Sequence, residues 1–94
     1  MLPVAWTFTA QVSFVETTSF LQELSDTIAA QLFEEVQQTI QKITQFNKIC
    51  PPSPRKPKYR RCTMLDGRVS LYYIVKKKQI EIIAIRDNRR KPKF

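Results

Sequence analysis

The chain ends in RDNRRKPKF, which gathers Arg86, Arg89, Arg90 and Lys91 around a single carboxylate, Asp87. Guanidinium and ammonium groups at this density hold anions, phosphate above all, through charge-assisted and often bidentate hydrogen bonds. A second pair, Arg60 and Arg61, heads an earlier apolar run. These two alternate faces if the run is a strand, so one lies beside the tail on the sheet while the other turns to solvent or to the preceding loop. Proton-transfer chemistry is harder to find. The chain has no histidine, the commonest proton carrier near neutral pH, and without one its serines and threonines cannot form a hydrolase triad. A single glycine does not build a phosphate-cradling loop. Two cysteines without histidine do not assemble a four-ligand zinc site. No catalytic residue, metal or cofactor is therefore expected. Arg60, Arg61, Arg86, Asp87, Arg89, Arg90 and Lys91 are expected to bind a target, with Asp87 pairing one guanidinium and so fixing the direction of the tail.

The charge is unevenly distributed. Residues 1–47 carry one base, Lys42, against five acids, a net −4, whereas residues 48–94 carry fifteen bases against three acids, a net +12. Such asymmetry points to an anionic partner for the second half: nucleic acid, a nucleoprotein machine or an acidic protein segment. At 94 residues the expectation is one domain, 1–94, with one modest core. The start, MLPVAWTFTA, lacks the basic and long apolar regions of a secretory signal, and no stretch has the length of a membrane span. The expected location is the cytoplasm, where Cys50 and Cys62 would be free thiols.

The elements that must position these residues follow from periodicity. VAWTFTA, residues 4–10, reads as a strand with Val4, Trp6 and Phe8 on one face. From Thr9 or Ala10 the spacing of Val12, Val15, Leu21 and Leu24, widened by Phe14 and Phe20, predicts a helix. Ser25 to Thr27 supplies capping side chains for a second helix, whose stripe is Ala29, Phe33, Val36, Ile40 and Ile43. Residues 50–57 hold four prolines and form a crossing loop or strap. Three strands follow over 59–65, 68–75 and 79–85, with Asp66-Gly67 at the first turn and Lys76 to Lys78 at the second. The predicted architecture is α+β, in the order β-α-α-β-β-β, with a helical hairpin packed on a small, mainly antiparallel sheet. Val69, Leu71, Tyr73 and Val75, or the alternate set, face the helices.

Trp6-Thr7 and Ala10 at an opening strand-to-helix step, Phe33 in the second helix, prolines before YRRC, then VSLYYIV, IEIIAI and the terminal RDNRRKP together resemble the RelE/ParE superfamily of toxins from type II toxin–antitoxin systems. The ending is similar to the D-x-R-x-x-P of its ParE-like branch. The resemblance implies one of two activities. RelE-like members cut mRNA on the ribosome, using basic residues to hold phosphate and a base to assist the 2′-hydroxyl, whereas ParE-like members inhibit DNA gyrase without acting as nucleases. Where the RelE-like pattern has an arginine before its central LVY-type segment, this chain has Ser70, and no histidine is present. Asp87, Tyr72 or Tyr73 would have to serve as base. The expectation is a ParE-like, non-enzymatic gyrase inhibitor, neutralised by a cognate antitoxin whose acidic C-terminal segment covers the basic half. The alternative is a RelE-like, ribosome-dependent mRNA interferase. A third reading, from charge alone, is a non-toxic nucleic-acid-binding module.

Overall fold

In the computed structural model, which describes residues 1–89, the chain runs β1 (Val4–Trp6), α1 (Phe8–Leu24), α2 (Asp26–Gln45), β2 (Arg60–Met64), β3 (Val69–Val75) and β4 (Ile80–Asp87). The sheet order is β1-β4-β3-β2, with β1 parallel to β4 and the other pairs antiparallel. Both helices cover one face, and the core between them and the sheet is built from Leu21, Leu32, Val36, Ile43, Val69, Leu71, Tyr73, Ile80, Ile82 and Ile85. The predicted element order and helical hairpin are met, and of the two possible faces of β3 the set Val69, Leu71, Tyr73 is the one turned to the helices.

The first strand is shorter than the sequence pattern suggests. Thr7 ends it by capping α1, its side chain accepting the Ala10 N–H at 3.1 Å. Phe8 is consequently helical and 79% exposed rather than on the strand face with Val4 and Trp6. The predicted stripe of α1 is met in part: Leu21 is buried and Phe14 and Phe20 pack against the core, but Val12, Val15 and Leu24 are exposed, and Ala10 and Thr17 are buried instead. The reason is polar. β1 covers β4 only over Ile80 to Ile82, and beyond that point α1 serves the outer edge of β4. Thr7 Oγ1 donates to Ile82 O at 2.9 Å, Ser13 Oγ accepts from Ile85 N at 2.9 Å, and Thr17 Oγ1 donates to Ile85 O at 3.2 Å. Backbone groups that would otherwise be buried without partners decide which side of α1 faces inward. In α2, Leu32 takes the core place expected of Phe33, which is half exposed and stacks on Phe14 at 6.4 Å.

Between β2 and β3 the chain reverses through Leu65, Asp66 and Gly67, with φ of 52°, 55° and 86°. Positive φ at both central residues is what a tight I′-type hairpin turn requires, and glycine adopts it at no steric cost. Glu35 of α2 accepts the Leu65 N–H at 3.1 Å, tying this turn to the helical layer.

The cysteines correct the free-thiol expectation: Cys50 and Cys62 are disulfide-bonded, 5.3 Å apart at Cα. The strap pairs with the outer edge of β2, where Arg61 N donates to Pro51 O at 2.9 Å and Ser53 N to Tyr59 O at 2.7 Å, and this pairing carries Cys50 to Cys62. Closing a loop of this size stabilises a fold by about 3 kcal/mol in the chain-entropy account.

Candidate functional site

One irregularity in β4 builds the site. The β3–β4 register passes from Tyr72↔Ala84 to Tyr73↔Ile82, leaving Ile83 as an extra residue. A one-residue insertion exchanges the two faces of a strand from that point on. Ile82 and Ile85 consequently both face the helices, and Arg86 is turned to the helix-free face opposite Ser70. Arg61 reaches the same face from β2, opposite Tyr72. Arg61, Tyr72, Arg86, Asp87 and Asn88, with Pro54 and Arg55 of the strap, line a cleft of about 220 Å³.

The cleft is held by a short relay. Arg61 Nε donates to Ser70 Oγ at 2.8 Å, and Ser70 Oγ donates to Asn88 Oδ1 at 2.8 Å. Asn88 Nδ2 donates to Gly67 O at 2.7 Å, and Asn88 N donates to Arg68 O at 2.7 Å. The β2–β3 hairpin and the chain following β4 are thereby locked together around Ser70, which is fully buried. Only Nε of Arg61 is used in the relay, which fixes the plane of the guanidinium from behind. Such anchoring orients the group's remaining donors at little entropic cost.

The other expected site residues separate. Arg60, alternating with Arg61, donates from Nη1 to Cys50 O at 2.7 Å and supports the start of the strap. Asp87 is buried on the helix side, opposite Val69, with its carboxylate 3.6 Å from Arg68 Nε. It also accepts the Arg89 N–H at 2.9 Å. Asp87 does pair a guanidinium, that of Arg68 rather than a neighbour in the tail, and the tail it was expected to direct lies beyond Arg89, outside the described residues. Arg89 is exposed, and Arg90 and Lys91 lie outside the described residues. Sequence reasoning noticed Ser70 only as an absent arginine and did not include Asn88 or Arg55. The signal for Arg55 was its place in a strap that must cross a sheet edge.

The tyrosines take opposite faces, as adjacent strand positions must. Tyr73 is core, and its hydroxyl donates to Asn47 O at 2.8 Å. Burial raises its pKa above the ordinary 10.0, against smaller opposing effects of the Cys50 backbone bond and the Arg60 charge. Tyr72 is buried within the cleft face, with 4% of its surface exposed. Away from the site, Glu81 is held below the usual carboxylate range by hydrogen bonds from Gln79 and Lys76. Among the described residues no three His, Cys, Asp or Glu side chains group as metal ligands would, and no helix is long and apolar enough to cross a membrane.

No family model and no curated protein matches the chain. Solved structures do. The chain is similar to a chain of the chromosomal ParDE TA system from P. aeruginosa, with a TM-score of 0.76 and 20% identity over 93% of this chain and 96% of that one. It is also similar to the conserved hypothetical protein HP0894 from Helicobacter pylori, with a TM-score of 0.58 and 20% identity over 95% of this chain and 97% of the other. At this identity the likeness is one of fold, greater to the ParDE structure than to HP0894, and the chain has the RelE/ParE-like fold expected from its motifs.

Proposed function

We propose that the protein is the toxin of a type II toxin–antitoxin pair, acting in the cytoplasm as a non-enzymatic inhibitor of DNA gyrase. The ParDE likeness supports the toxin reading and an antitoxin partner. The observation that favours inhibition over cleavage is the engagement of Asp87. Arg61 and Arg86 share the cleft, and the acid that also lines it, Asp87, is buried with Arg68 as its charge partner and accepts the Arg89 N–H. The cleft thus offers donors for phosphate, while its carboxylate is already held by other groups and no imidazole is present to take a proton. Arg61, Arg86 and Arg89, with Arg55, form the target-binding surface, and Arg60 and Asp87 position it. The antitoxin's acidic segment competes for this basic surface.

The second reading, a RelE-type ribosome-dependent endoribonuclease, draws on Tyr72, which lines the same cleft as Arg61 and Arg86 and would act as the base with Asp87 held by Arg68. Two assays with the purified chain separate the readings. Inhibition of gyrase supercoiling without mRNA cleavage on programmed ribosomes is the expected result. Cleavage that Tyr72→Phe abolishes would replace the first reading with the second.

A further inference from the structure

The strap is stiffened by Pro51, Pro52, Pro54 and Pro57. Two backbone hydrogen bonds tie it to the β2 edge, the Arg60 guanidinium holds Cys50 O, Cys50 N donates to the Tyr73 hydroxyl at 3.4 Å, and the disulfide closes it onto Cys62. The bond is reachable. A cleft of about 550 Å³ opens on it, lined by Cys50, Cys62, Thr39 and Lys42 with the prolines beside them. Cys50 is partly exposed while Cys62 is buried, so an incoming thiolate meets the Cys50 sulfur first. The expelled Cys62 thiolate forms in a cleft that Lys42 and Arg61 also line, and nearby cations favour a thiolate.

We propose that Cys50–Cys62 is a redox-addressable clasp: reduction by a dithiol releases the strap from β2 and removes the Pro54–Arg55 wall from the basic cleft. A thiolate of the dithiol attacks Cys50 Sγ and the Cys50–Cys62 bond breaks towards Cys62. The second thiol then attacks the mixed disulfide and frees Cys50. The dithiol becomes a cyclic disulfide, and its two electrons and two protons end on the two protein thiols. In the cytoplasmic location proposed above, disulfides of this kind serve as redox sensors more often than as permanent staples. The same event uncovers the β2 edge, whose Arg61 N–H loses Pro51 O as its acceptor. The consequence for target binding rests on the proposed function; the opening of the clasp does not.

The test is amide hydrogen exchange of the folded full chain with and without dithiothreitol, the thiols being counted by alkylation and mass spectrometry, and with Cys50→Ser/Cys62→Ser as a permanently open form. Native reduction should expose two thiols and speed exchange at Ser53 and Arg61 by about tenfold or more, while Leu71 and Tyr73 on β3 keep their protection. The double variant should match reduced wild type and ignore dithiothreitol. Three results overturn the clasp: no reduction without denaturant, reduction with unchanged exchange at Ser53 and Arg61, or loss of protection at Leu71 and Tyr73 together with the strap. Supercoiling assays in both redox states should give different inhibition. An absence of inhibition in either state would count against the gyrase reading and leave the exchange result to decide the clasp.

Discussion

Arg86 and Asp87 are neighbours in the chain but face opposite sides of β4, and the difference decides what each can do. Asp87 is buried with Arg68 as its charge partner, and Arg68 Nε and Nη2 are themselves enclosed without a hydrogen bond. Removing one member of such a pair leaves the other charge buried and uncompensated. Asp87→Ala should therefore lower stability by about 3 kcal/mol in urea denaturation, a loss that a purely target-contacting residue would not show. Tyr73 supports a second residue-scale prediction. Because its folded pKa is raised, the neutral phenol contributes stability that is fully present below pH 10.0, the ordinary value, and is lost as pH rises through the raised one. Tyr73→Phe should cost about 1 kcal/mol near neutral pH through the lost bond to Asn47 O. It should also flatten the alkaline decline of the thermal midpoint. The pairing of Asp87 with an arginine was legible in a carboxylate set among bases. Its partner was not, because Arg68 reaches it only through the Val69↔Asp87 register of two strands.

At the scale of elements, α1 and β4 show where periodicity stops being informative. Of the expected helix face Leu21 is buried, but Val12, Val15 and Leu24 are left exposed because Thr7, Ser13 and Thr17 are needed inward to serve the β4 backbone. A hydroxyl that satisfies a buried carbonyl outweighs one more apolar contact, since an unmet backbone group costs about 1–3 kcal/mol. Thr17→Val, equal in shape, should destabilise the fold by about 1 kcal/mol, seen as a lower urea midpoint with unchanged slope. The bulge at Ile83 was equally hidden. IEIIAIRD carries an Ile-Ile doublet that breaks strict alternation, but a sequence does not say whether a doublet marks a bulge or a strand buried on both faces. The β2-β3-β4 meander and the hairpin at Asp66-Gly67 were readable because turn chemistry is local, whereas the parallel pairing of β1 with β4 was not. The Cys50–Cys62 bridge was not, because it depends on the strap pairing with a strand edge.

For the whole molecule, the separation of charge is the property most visible in the sequence and the one the fold puts to use. The +12 half supplies β2, β3, β4 and the strap, and the helix-free face brings Arg55, Arg61 and Arg86 to one cleft. Of the basic ending, Arg86 lines this cleft and Arg89 is exposed. Arg60 works inside the strap and Asp87 inside the fold, while Arg61 and Arg86 remain at the cleft. The central claim is that this face carries the toxic contact. The most direct measurement is gyrase supercoiling titrated with wild type and with Arg61→Ala/Arg86→Ala, each checked for an unchanged fold by circular dichroism. The double variant is predicted to need at least about tenfold more protein for the same inhibition, a loss of about 1.4 kcal/mol in binding. Equal inhibition by a folded double variant would contradict the account and place the contact elsewhere on the molecule.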